Sequence, residues 1–159
     1  MKTIIFSLIL TINSLNAQNK FDHRLERNRF NIGLISEPKK NQVVIKSINR
    51  DEVFEGRYLG TFETVSGKRF YLIASSYVFD IKTLAKTENH IFVYNQKKQY
   101  VGYYYVGQMY ELPKKLINNK LYFKIKGCSE QTIINLRHGI PKAINLRCNG
   151  ENNYYEFQE

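Results

Sequence analysis

Two arginines open the question of what this chain does. Ile134-Asn135-Leu136-Arg137 recurs ten residues later as Ile144-Asn145-Leu146-Arg147, with the turn-rich His138-Gly139-Ile140-Pro141-Lys142-Ala143 between the copies. In a strand, residues two apart share a face. Each copy would therefore hide Ile and Leu and show Asn and Arg. The spacing predicts a hairpin that presents Arg137 and Arg147 together with Asn135, Asn145 and Lys142. Two guanidiniums on one face suit a phosphate, sulfate or uronate, because the planar fork of donors matches an oxyanion bidentately. The competing reading is a solvated outer face whose charges discourage strand pairing.

The second group with chemistry is aromatic. Tyr100, Tyr103, Tyr104, Tyr105 and Tyr110 crowd one stretch. Tyrosine combines a flat apolar ring with a polar tip and serves sugar stacking and protein interfaces equally well. Simple alternation places Tyr103 and Tyr105 on one face with Val101, and Tyr100, Tyr104 and Val106 on the other. The competing reading is core.

No catalytic pattern stands beside these. There is no His-Glu-x-x-His, no Gly-x-Ser-x-Gly and no phosphate-cradling glycine loop. His23, His90 and His138 lie far apart and lack a local carboxylate, and Glu111 is the one carboxylate next to the tyrosines. Cys128 and Cys148 have no His or carboxylate at ligand spacing, so the pair reads as a disulfide and not as a metal site. Nothing calls for a cofactor.

The elements that must position these residues read as β. The chain has 159 residues, enough for one domain, with 43% hydrophobic and 14% aromatic residues and no Trp. Tyr and Phe favour strands. His90 to Ile125 looks like the middle of an antiparallel sheet: Ile91–Tyr94 and Tyr100–Val106 are apolar on both faces, which predicts a centrally placed hairpin. Gly102 within it predicts a bulge or a close backbone approach. Gln42–Ile48, Arg57–Thr64 and Phe70–Phe79 precede it as strands, and Tyr58, Gly60 and Phe62 of the second should share a face. Asn118-Asn119 predicts a tight turn, since Asn tolerates positive φ. A strand follows with Lys120, Tyr122 and Lys124 outward, and Asn153–Gln158 closes the chain. Lys39-Lys40, Lys97-Lys98 and Lys114-Lys115 fall in predicted turns as solvated tips. The fold class is all-β: about nine strands in an antiparallel sandwich or flattened barrel.

The first residues give an address. Met1-Lys2, the apolar Ile4–Ile12 and the polar, small-ended Asn13–Ala17 form the pattern of a cleaved signal peptide, with the cut after Ala17. The leader is similar in style to those of small exported bacterial proteins. Residues 18–41 then form an irregular segment, in which Asp22 is placed to cap a short helix ending near Arg29. A single β domain occupies 42–159. After Ala17 no stretch is long and apolar enough to span a bilayer. Loss of Lys2 leaves a formal charge of +9 from +10.

Export turns the expected anionic partner from nucleic acid to envelope lipid head groups or acidic glycans, and favours a disulfide. The leading expectation is a periplasmic or secreted, non-enzymatic domain that binds an anionic envelope or glycan ligand. A protein-interaction module of the inhibitor or immunity type is the alternative. A small hydrolase using Glu111 or a histidine is the third.

Overall fold

The computed structural model describes residues 23–159, so the expected leader and the Asp22 cap lie outside the described residues. Residues 23–36 form a helix, α1. Ten strands follow: β1 (Val43–Ser47), β2 (Val53–Glu63), β3 (Arg69–Phe79), β4 (Lys86–Asn95), β5 (Tyr100–Val106), β6 (Lys115–Ile117), β7 (Lys120–Phe123), β8 (Thr132–Asn135), β9 (Ala143–Cys148) and β10 (Glu151–Gln158). A single 3-10 turn, η1 (Met109–Glu111), lies between β5 and β6.

Seven strands make one antiparallel sheet in the order β1-β2-β3-β4-β5-β10-β9, and β6-β7-β8 make a second. The fold is thus all-β, as the composition and turn spacing predict. The second sheet packs face to face on the first. Leu116, Leu121, Phe123 and Ile125 join Leu59, Phe62, Leu72, Ile91, Val93 and Tyr104 in one buried core, completed by Ile144 and Leu146 of β9. The predicted central hairpin, β4–β5, occupies the middle of the large sheet. Asn118 and Asn119 both take positive φ, 50° and 58°, in the turn between β6 and β7.

The other face of the large sheet carries α1. Helical spacing gathers Arg27, Phe30, Asn31, Leu34 and Ile35 on one side. Phe30, Leu34 and Ile35 bury against Phe54, Ile73 and Tyr94. That stripe explains why the helix runs to residue 36 and not only to Arg29: the anchoring residues lie in its second half, and their burial outweighs the helix-weakening Gly33. Polar groups lock the seat. The Tyr94 hydroxyl donates to Asn28 Oδ1 at 2.9 Å and accepts from Asn31 Nδ2 at 3.2 Å. Arg27 Nη2 donates to the carbonyls of Ser75 and Glu88 at 2.9 and 3.0 Å.

Two bulges redirect side chains. One at Leu59, between the Tyr58 and Gly60 pairs of β2 and β3, puts Tyr58 on the α1 side and Phe62 in the core, so they do not share a face as simple alternation predicts. Another, where β5 skips a residue against Val93 and Tyr94, pairs Tyr100 with Tyr94. Tyr100 therefore lies on the α1 side with Tyr103 and Tyr105, not with Tyr104.

Cys128 and Cys148 form the expected disulfide. It ties the β7–β8 connection of the small sheet to the end of β9. The bridge spans 20 residues, which in the chain-entropy account is worth about 3 kcal/mol. A Cys128→Ala/Cys148→Ala double variant is expected to lose about that much in urea unfolding; a loss near zero would mean the core alone holds the two sheets together.

Candidate uncovered sheet face

α1 packs on β1 to β4, and among the described residues no helix covers the rest of that side of the large sheet. The registers define what stands there. Tyr103 pairs with Gln158, so Gln158, Glu156, Tyr154 and Asn152 of β10 share the face of Tyr103 and Tyr105. Across the next pair, Glu156 lies opposite Ala143, Tyr154 opposite Asn145 and Asn152 opposite Arg147. The tyrosines and Asn145/Arg147, read as separate surfaces in the sequence, therefore occupy one continuous face. It runs about 20 Å along β10. Tyr100 and Tyr105 are each 43% exposed and Tyr154 is 68% exposed.

The tyrosines rest on a built aromatic base. His90 stacks on Phe92 at 5.1 Å and meets Tyr103 and Tyr105 edge-on at 4.8 and 5.1 Å between ring centres. The Arg27 guanidinium sits 5.0 Å over Phe92. Burial pulls Arg27 down to about 10, with the Glu88 charge opposing the fall, so it stays cationic at neutral pH. Tyr103 donates to Gln158 Oε1 at 2.6 Å, fixing its ring. These contacts hold Tyr103 and Tyr105 as a rigid ledge.

At the β9–β10 end the surface dips into a concavity of about 260 Å³, lined by Asn145, Arg147, Asn152 and Tyr154 with Glu130 and Glu151. Asn145 Nδ2 donates to Asn152 Oδ1 at 3.1 Å. Two carboxylates beside one guanidinium make a mixed-charge site. Such a site suits hydroxyls and amides better than a bare polyanion.

The arginine pair is not brought together as a hairpin face. The second echo is β9, whereas the first belongs to β8 and the small sheet. The Arg147 N–H donates to Thr132 Oγ1 at the start of β8. Arg137 lies five residues beyond Thr132, about 16 Å of extended chain. There the Arg137 carbonyl accepts from Val65 and the Asn135 side chain accepts from the Arg137 N–H. Hydrophobic Ile and Leu do face inward in both copies, but toward a shared core from two sheets. Lys142 rims a separate open groove with Val101, Ile140, Pro141 and Phe157.

Glu111 is held as a structural carboxylate. Its oxygens accept from the Gln108 N–H at 2.7 Å and from Asn153 Nδ2 at 3.1 Å, which leaves it engaged between η1 and β10. His23 lies 3.9 Å from Glu52 at the α1 end. Among the described residues no group of three or more His, Cys, Asp or Glu is placed to hold a metal ion.

Tyr154, Asn152 and Gln158 were not singled out from the sequence. Their signal was present in the alternation of Asn153–Gln158, but it carries meaning only once β10 is known to lie beside β5. Comparison with protein-family models, curated proteins and solved structures finds no match for this chain.

Proposed function

We propose that this protein is an exported, non-enzymatic domain that holds an extended glycan across the uncovered face of β5, β10 and β9. The observation that carries this reading is the continuity of the face: exposed tyrosine rings on β5 and β10, amides along β10, and a concavity at the β9 end lined by Arg147 and two carboxylates. Rings stack on the apolar faces of sugars while amide and charged groups bond their hydroxyls. The intramolecular disulfide suits an oxidising compartment, and no helix among the described residues is long and apolar enough to cross a membrane.

The mixed charge of the concavity gives a specific expectation: binding should depend weakly on salt. Titration calorimetry of the oxidised protein against soluble dextran, alginate and chitin fragments tests it. Tyr105→Ala/Tyr154→Ala is expected to weaken binding to the recognised polysaccharide about tenfold or more. Equal binding by the variant would remove the ledge from the function. A protein-interaction module would use the same exposed tyrosines; it predicts no polysaccharide binding at all.

A further inference from the structure

The positive charge of this chain is concentrated away from the tyrosine face. Between Leu112 and Ser129 there are five lysines and no carboxylate, half of the net +10. This stretch builds β6 and β7. Leu116, Leu121, Phe123 and Ile125 point into the core. The alternate positions are turned to solvent, and all five lysines are exposed. None lies within ion-pair distance of a carboxylate among the described residues.

The registers show how the outer face is arranged. Lys115, Tyr122 and Ile133 form one cross-strand row, and Ile117, Lys120 and Asn135 form the next. Ile117 is 42% exposed and Ile133 is 47% exposed. The Lys115 ammonium lies 5.3 Å over the Tyr122 ring. Ile117, Tyr122 and Ile133 thus make a contiguous apolar diagonal bordered by Lys115, Lys120 and Lys124.

We infer that the outer face of β6-β7-β8 docks on an anionic lipid surface. Unpaired lysines on a short sheet are attracted to anionic head groups, each strengthening binding about fivefold near the surface. The isoleucines and the tyrosine between them are the residues that enter the interfacial layer, while the long lysine stems lie along it. A soluble polyanion would use the lysines and leave the exposed isoleucines without a role. The small sheet lies on the side of the large sheet opposite α1. Docked this way, the protein turns its tyrosine face away from the bilayer.

Flotation of the full oxidised chain with phosphatidylcholine vesicles, with and without phosphatidylglycerol, tests the inference. Binding is expected only to the anionic vesicles and is expected to fall as salt rises. Lys120→Glu/Lys124→Glu should weaken it about 25-fold or more. Ile117→Ser/Ile133→Ser should weaken it several-fold while leaving the salt dependence in place. Both pairs are exposed, so unfolding temperatures near wild type verify that the variants fold. Tyr105→Ala/Tyr154→Ala should float like wild type, which separates this surface from the glycan face. Failure to float, floating that is indifferent to the lysine reversals, or lysine-dependent binding to soluble alginate without floating would each overturn the inference.

Discussion

Gly56→Val is expected to unseat α1 and to cost about 3 kcal/mol or more. Gly56 sits in β2 directly beneath the helix. A Cβ built there would lie 2.6 Å from both Leu34 Cδ1 and Phe30 Cε1, far inside van der Waals contact. Neither neighbour has room to move, because both are buried on the helix's anchoring stripe. The helix would have to lift, and with it the hydrogen bonds from Arg27 to Ser75 and Glu88 and from Asn31 to Tyr94. Amide exchange should therefore show α1 losing protection well before the strands. Wild-type stability with α1 still protected would mean that the seat is looser than this packing implies. A Gly56→Ala variant should fall between the two, since one carbon is added and not three.

The second large effect is expected in acid. His90 is 8% exposed, packed among Phe92, Tyr103 and Tyr105. Burial, and then the nearby Arg27 charge, push its pKa from 6.5 down to about 3, against a smaller opposing effect of the Glu88 backbone. The folded value lies below the unfolded one. His90 therefore contributes stability that is present above pH 6.5 and is lost as pH falls from 6.5 toward 3. By pH 4 the loss from this group alone should be roughly 2–4 kcal/mol. In His90→Leu the imidazole is gone, so chemical unfolding at pH 7 and pH 4 should show a much smaller difference than in the wild type. Parallel pH dependence in the two proteins would assign the acid sensitivity to carboxylates elsewhere. The ledge rests on this ring, so the proposed glycan binding is expected to weaken over the same acid range.

How far the sequence reaches is clear from particular residues. The central hairpin was legible as strand because Ile91–Tyr94 and Tyr100–Val106 are dense in β-branched and aromatic residues; the coverage on both faces that this predicts holds for β4 but not for β5, whose Tyr100 and Tyr105 are exposed. Gly102 was legible as a close approach: a Cβ there would collide with the Gln158 carbonyl and the Phe157 ring. The disulfide followed from there being two cysteines. What failed was anything set by partner choice. The faces of Tyr58 and Tyr100 were misplaced because a bulge inverts alternation without changing composition. The Ile-Asn-Leu-Arg echo reads as a hairpin, but two equal strands separated by a turn can equally enter two stacked sheets. Lys114 and Lys115 read as a loop tip, whereas Lys115 begins β6 and joins an outer face that exists only once β7 and β8 lie beside it. The candidate glycan face was visible as two fragments, and β10 is the piece that unites them.

The place of β10 also dictates an order of events. Strands β1 to β5 each pair with their neighbour in the chain, so they can zip up from local contacts. β10 instead reaches β5 across about 50 residues, through the Phe157–Tyr104 and Gln158–Tyr103 pairs, and such distant closures are slow. The tyrosine ledge, whose Tyr103 is fixed by Gln158, is consequently expected to be completed only when β10 arrives with its partner β9 and Arg147, and the whole face is expected to be the last surface to form. Ligand capture by a newly made chain would thus report that its folding has finished.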